Sequence, residues 1–546
     1  MKSTIFFSAL CLISIQSVLA QDSTKHKTIE ITSSFKPSLK PSSKIDFTPS
    51  ALVNQDTARP RLLYTVPVQN LSFNIGPAML KPAALQPDTA NHYANDGYVK
   101  AGYGTFSTPY LDAAVSFGDG KKSSGAVHAG YSSSTGKLPF QKYSLLDLDA
   151  NAQLAAGPNT QLKLGAGMKQ FGTYYYGFKP DTLHFTEAQL HQRYSTYNVN
   201  ASLGNNVPTS FGLLYSPTIN LWLFNDISNG KETHLNLKAP FEMTLSDQFK
   251  FGVELQSDVV KYQTSKISSS NNLFSIIPSV TWHSDLFLLK AGIMPSWNNS
   301  QFNMLPDIEF ETRPGAVQTN NETINKFIFL AGWKGYYDIN SYRNLATYNP
   351  WITQPTNIFN TKNTEFYVGL KSSSGDHFSY MARLGYVSRN NVALFRNDST
   401  DGKFFNVLNE AKINTVKLQA EISYQQADQF FWKATFIYQT FGGFQTYDHA
   451  YGLTPLEINS NLRYKLFKNF NLIADMYYFD GNRYQTKTSS GRTASALDLN
   501  AGVDVQVVKN VSVWLQFNNI LNSTYQRWNQ YQVLGFQALI GAKVNF

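Results

Sequence analysis

The C-terminus of this chain alternates. From Leu534 to Phe546 every even position is apolar: Leu534, Phe536, Ala538, Ile540, Ala542, Val544 and Phe546. The odd positions are small or polar (Gly535, Gln537, Gly541, Lys543, Asn545), with Leu539 the exception. A period of two sends one set to each face of a strand. Such a strand suits a boundary, with lipid on one face and a polar lumen on the other.

The same pattern recurs upstream. Leu497, Leu499, Ala501, Val503 and Val505 alternate with Asp498, Asn500, Gly502 and Asp504. Val416, Leu418, Ala420 and Ile422 alternate with Lys417, Gln419 and Glu421. Phe430, Trp432, Ala434 and Phe436 lead a strand that also holds Lys433. A soluble sandwich alternates too, so the period alone does not decide. Three further features favour a membrane barrel. Many runs reach about 10–14 residues, enough to cross a bilayer while tilted. Aromatic residues sit near the run ends, and tight turns alternate with longer polar connections.

The tight turns fall near Gly118-Asp119-Gly120, Gly157-Pro158-Asn159, Asn205-Asn206, Ser246-Asp247 and Ser284-Asp285. Others fall near Gly375-Asp376, Ala427-Asp428, Lys468-Asn469 and Lys509-Asn510, and one more is expected within 312–325. About ten turns on one side, with both chain ends there, predict about 22 strands. The expected fold class is all-β: a transmembrane antiparallel β-barrel over residues 97–546. Outer loops are expected at 180–192, 341–362, 396–402 and 481–491. Residues 21–96 are rich in Pro, Ser, Lys and Thr and read as a short, mostly irregular arm, periplasmic or entering the lumen.

Composition agrees. Only 15% of residues are charged and 14% are aromatic, a balance that suits aromatic girdles better than a soluble enzyme. Residues 1–20 read as a signal peptide, with Lys2, an apolar run from Ile5 to Ile15, and Val18-Leu19-Ala20 at the cleavage position. Its removal takes away Cys11, the single cysteine, so no thiol chemistry is expected. The net charge of +9 is spread along the chain, and no basic stripe points to nucleic acid. The location implied is the outer membrane, with lipid and lipopolysaccharide as neighbours.

Gly541-x-x-Val544-x-Phe546 resembles the C-terminal signal read by the barrel assembly machinery. The preceding segment is similar to the C-terminal hairpin of TonB-dependent receptors, on Asn519, Leu521, Asn522, Tyr525, Trp528, Tyr531 and Gly535. That resemblance implies a large barrel for active transport across the outer membrane. The family also carries a plug domain of over a hundred residues, for which 21–96 is too short, and a TonB-interacting box. Thr28-Ile29-Glu30-Ile31-Thr32 resembles that box, which makes TonB a candidate partner.

Catalytic motifs are absent from the sequence, and neither an enzyme activity nor a cofactor is expected. His184 and His191 share a loop with Asp181 and Glu187, but at no ligand spacing. Tyr174-Tyr175-Tyr176 and Tyr336-Tyr337 read as interface anchors or stacking platforms, with anchoring preferred. Lys417, Glu421, Lys433, Arg463, Lys465, Asp475, Asp498, Asp504 and Lys543 are expected in the lumen. Transport of a nutrient or other solute leads the functional readings. A passive diffusion porin and a scaffold binding surface or periplasmic partners are the alternatives.

Overall fold

The computed structural model describes residues 96–312, 318–319, 322–323, 327–374 and 377–546. The leader, the arm and the Thr28–Thr32 segment lie outside these residues. Among the described residues, 22 strands form one closed antiparallel wall. A three-residue strand, Leu213–Tyr215, flanks it by pairing with Phe241–Met243, which makes a twenty-third member of the same sheet. Each wall strand pairs with its neighbours in sequence, as hairpin connections require.

The exception is the closure. The first strand, Gly97–Gly104, pairs with Thr108–Gly118 on one side and with the last strand, Gln537–Asn545, on the other. Gly97 and Phe546 exchange two backbone hydrogen bonds of 2.8 Å. Gly102 lies directly opposite Gly541. The Trp514 ring fills the space over both: a Cβ built at Gly541 would stand 2.5 Å from that ring and 2.0 Å from the Ala101 carbonyl oxygen. Leu539, the apolar residue on the polar face, is buried with Tyr110 and Trp514 behind this seam. The residues that resemble the assembly signal, Gly541, Val544 and Phe546, therefore line the closure on its first-strand side. The strand itself begins at Gln537 and not at Leu534. Leu534 and Val533 turn inward and are buried among loop residues.

Phe405–Gln426 shows the two faces. Val416 and Leu418 are 45% and 38% exposed, whereas Lys417 between them is 2% exposed. The wall thus sorts apolar residues outward and charged residues inward, because a charge at the bilayer midplane costs about 2–4 kcal/mol. The lumen charges pair across strands: Lys290 with Asp307 at 2.7 Å, Lys371 with Glu311 at 2.8 Å, Arg383 with Glu365 at 2.7 Å and Lys433 with Glu421 at 3.0 Å. Asp498, Lys417 and Lys543 are buried on that face.

The predicted division holds in part: the turn expected at Asn205-Asn206 is the twelve-residue connection 206–217, and the outer end also carries short turns at 105–107, 227–230, 264–267 and 299–300. Short connections join the strands at the end that carries Gly97 and Phe546, including 119–122, 156–159, 427–429, 468–469 and 509–510. Longer ones, including 175–190, 339–360, 480–495 and 519–536, join them at the other end. Two strands are much longer than a bilayer crossing needs: Phe378–Asn397 has 20 residues and Phe405–Gln426 has 22. Their tops stand above the membrane band and carry Phe395 and Phe405 into the loop layer.

Candidate functional site

The loop layer holds the largest buried apolar cluster among the described residues. Tyr175, Tyr176, Tyr342, Trp351, Phe405, Trp528 and Tyr531 are all buried in one cluster. Two loops build its centre.

The first is 339–360. Its helix α1 (Tyr342–Tyr348) starts at Ser341, whose Oγ accepts a hydrogen bond from Asn344 N at 3.2 Å. Tyr342, Leu345 and Ala346 fall at helical spacing on one face, and that face is buried. The helix stops just before Pro350, since the residue preceding a proline disfavours helical backbone. Tyr342 Oη then donates to Asp226 at 2.6 Å, and Gln354 Nε2 donates to the same carboxylate at 2.9 Å. The Arg343 guanidinium lies 4.5 Å from the Trp222 ring, and Arg343 N donates to Glu232 at 3.2 Å. Farther along, Trp351 Nε1 donates to the Tyr174 carbonyl at 3.1 Å and Tyr194 Oη donates to the Pro350 carbonyl at 2.9 Å. Trp351 and Thr353 exchange backbone bonds with Phe405 at 2.9 and 3.0 Å. Asp226, Trp222, Glu232, Tyr174 and Tyr194 belong to strands far round the wall from 338 and 361, whereas Phe405 opens a strand only two places beyond 361, so the loop reaches from its own side across the mouth.

The second is 519–536, which carries the residues of the TonB-receptor-like motif. Asn519 and Asn522 both have left-handed backbone, with φ of 47° and 50°. Asn tolerates this conformation because its short polar side chain bonds locally. Asn519 Nδ2 donates to the Ser523 and Leu534 carbonyls at 2.8 and 2.9 Å, while its Oδ1 accepts from Ser523 N at 2.9 Å. Asn522 Oδ1 accepts from Phe536 N at 2.9 Å. A Cβ at Gly535 would stand 2.6 Å from that same oxygen. The motif is thus a staple that turns the loop inward. Leu521 is exposed, whereas Tyr525, Trp528 and Tyr531 are buried inside. Tyr525 Oη donates to Asp498 at 2.5 Å, which ties the loop to the wall.

The two loops meet at the centre. The rings of Trp351 and Tyr531 stack with centroids 3.9 Å apart and planes 24° from parallel. Tyr176 sets its edge against Tyr531 at 4.9 Å. Arg527, 1% exposed, lies 4.9 Å over the Trp528 ring and donates to Tyr348 Oη at 3.1 Å. Burial works against the guanidinium charge, but Tyr348, Tyr477 and Glu457 around it leave its pKa above the ordinary value. Burial likewise pushes the Tyr348 and Tyr531 hydroxyls up, so both stay protonated and act as hydrogen-bonding groups.

Several sequence expectations are corrected here. Tyr175 and Tyr176 are neither interface anchors nor an exposed stacking platform; they are part of this cap core. Tyr337 is buried against Leu273, Met294 and Leu305. In the 175–190 loop, Asp181 pairs with Lys179 at 2.8 Å, whereas Glu187 pairs with Lys142 at 3.1 Å and accepts from Tyr174 Oη at 2.9 Å. His191 packs its ring 5.1 Å from Tyr174. Among the described residues no three side chains are placed to hold a metal ion. Sequence reasoning missed Asp226, at the top of the strand Thr218–Asp226, and Arg527, in the 519–536 loop; nothing in their local pattern distinguishes them from other charges.

No protein-family model matches the sequence, and no curated protein matches it. Solved structures do match in fold. The FrpB iron transporter from Neisseria meningitidis (F3-3 variant) superposes with a TM-score of 0.62 at 11% identity, over 83% of this chain and 82% of that one. The ferripyoverdine receptor of the outer membrane of Pseudomonas aeruginosa, bound to ferripyoverdine, gives 0.58 at 11% identity, over 83% and 72%. The siderophore receptor PirA from Pseudomonas aeruginosa gives 0.54 at 11% identity, over 83% and 79%. The wall is therefore a TonB-dependent-receptor-like outer-membrane barrel in fold.

Proposed function

We propose that this chain works in the outer membrane as a gated barrel that admits a solute, with its own outer loops as the gate. The observation that carries the reading is the buried core formed by loops 339–360 and 519–536 across the mouth. A passive porin needs a standing water path, and a mouth filled with Trp351, Trp528 and Tyr531 opposes one. The fold shared with an iron transporter and with siderophore receptors supports an uptake role.

In this reading the leader is removed after Ala20, and 21–96 serves as a periplasmic or lumen-entering arm. Thr28 to Thr32 is the contact for TonB, which would supply the work of opening. Lipid, lipopolysaccharide and, during biogenesis, the assembly machinery complete the partners. The central test is planar-bilayer recording. The wild-type protein is expected to be silent, and deletion of residues 343–358 is expected to give steady conductance. Large, steady wild-type conductance would overturn the gate, and so would silence of the deletion. Energised transport is tested separately. The periplasmic domain of TonB should be retained by the intact chain and lost on deleting 28–32. Unaltered uptake after that deletion would rule it out.

A further inference from the structure

Beneath α1 the cap does not meet the wall completely. A cavity of about 100 Å³ remains between the helix, the strand Phe378–Asn397 and the strand tops at Gln439 and Glu457. A water needs roughly 10–15 Å³ of such volume, so the space holds about seven to ten waters, or one small organic molecule in their place. Its lining is divided. Leu345, Phe395, Ile437 and Leu453 form an apolar side. Asp338, Arg389, Glu457 and Thr454 form a polar one.

The polar side holds both signs of charge with capacity to spare. Arg389 donates to Gln439 Oε1 at 3.4 Å, a long contact for a guanidinium, whose planar fork is suited to grip a carboxylate through two bonds. Asp338 accepts from Asn363 Nδ2 at 2.9 Å through one carboxylate oxygen. Thr454 is buried, and its Oγ1 lies against the Glu457 carboxylate.

We propose that this cavity binds a small zwitterion of amino-acid size. Its carboxylate would lie on Arg389, its ammonium between Asp338 and Glu457, and its short side chain against Leu345 and Ile437. Within the lining Arg389 is the cation and Asp338 and Glu457 are the carboxylates, while Lys417 and Arg527 act on the two carboxylates from outside it; groups of both signs on one small space suit a ligand that carries both charges. The size of the space excludes anything as large as a chelated metal complex while the cap is closed. The proposal deepens the uptake reading by naming a cargo class. It rests on that reading only for the bound molecule being cargo, since binding itself needs only the closed cavity.

The test is titration of L-alanine into the purified full-length protein in detergent, followed by calorimetry or ligand-observed NMR, with ethylamine and propionate as half-ligands. Alanine is expected to bind, and each half-ligand at least about tenfold more weakly, since each lacks one set of charge-assisted bonds. Arg389→Met and Glu457→Gln should each weaken alanine binding by about tenfold or more. Ala393→Leu fills the space without removing a charge and should abolish binding in a barrel that still migrates as folded. Failure of alanine to bind, ethylamine binding as tightly as alanine, or retained binding in Ala393→Leu would each overturn the site. Conductance of the same preparation reports on the gate separately, so loss of one reading does not entail loss of the other.

Discussion

Replacing Trp351 by alanine should open the mouth while leaving the wall closed. Trp351 is 1% exposed. It stacks on Tyr531, meets the Tyr176 edge at 6.0 Å and donates its indole N–H to Tyr174. Removing a buried aromatic side chain costs about 3–5 kcal/mol. These contacts join the loops to one another and to the top of the strand that ends at Tyr174, and none is a wall hydrogen bond, so the loss falls on the closed arrangement of the loops. At about 1.4 kcal/mol per tenfold, the open population rises by roughly a hundredfold to a few thousandfold. Trp351→Phe keeps a stacking ring and loses one hydrogen bond, about 1 kcal/mol, so the shift is only about fivefold. The assay uses Gln439→Cys, at a position under the cap, in a chain whose single natural cysteine is Cys11. Intact cells are labelled with a membrane-impermeant maleimide. The introduced thiol should react slowly in the parent and faster in the order Phe, then Ala, at position 351. If Trp351→Ala labels no faster than the parent, while heat-modifiable migration shows an intact barrel, the loops do not control access.

Four further outcomes follow from the geometry. Gly541→Val places carbon where the Ala101 carbonyl and the Trp514 ring already stand, and should abolish the heat-modifiable folded band. Asn519→Ala removes three local hydrogen bonds at a left-handed residue; it should lower stability by about 2–4 kcal/mol in urea-folding titrations. Leu418→Arg puts a charge on the lipid face and should cost about 2–4 kcal/mol in the same titration, against far less for a polar change on the lumen face. In the 119–122 turn, the backbone N–H groups of Ser123, Lys121 and Lys122 hold the Asp119 carboxyl below its ordinary value. A carboxyl with a depressed folded pKa supports its turn above the unfolded value and loses that support as pH falls through the folded one. The protection of the Lys122 amide, taken relative to the intrinsic exchange rate at each pH, should therefore fall only in the acid range below the ordinary carboxylate pKa, and Asp119→Asn should flatten that dependence.

The wall was legible because its information is local. Alternation at Lys417 and its neighbours, and turn residues such as Lys468-Asn469, act over a few positions, so strand number and facing emerge from periodicity. The cap was not legible, because its information is long-range. Tyr174 and Trp351 are joined by a hydrogen bond across 177 positions, and a tyrosine in a girdle has the same sequence look as one in a loop core. Asn519 and Gly535 were visible as a motif, but their stapling action depends on backbone angles that spacing does not encode. Leu534 extended an alternating pattern past the true start of its strand, because the cap core rewards the same apolar residue that lipid does.

The glycine-lined closure also bears on how such a wall can form. Every other pairing joins strands that are close in sequence and can zip up one hairpin at a time. The pairing of Gly102 with Gly541 brings together segments separated by nearly the whole barrel, at a loop-closure entropy of about 5 kcal/mol by the logarithmic rule. That places the slow, high-contact-order event of folding at one seam. Because Gly97 and Phe546 already exchange backbone bonds, a short linker from Phe546 to Gly97 in a barrel refolded without residues 1–96, with new termini cut in an exposed turn such as 468–469, should make the same seam a local hairpin and speed folding.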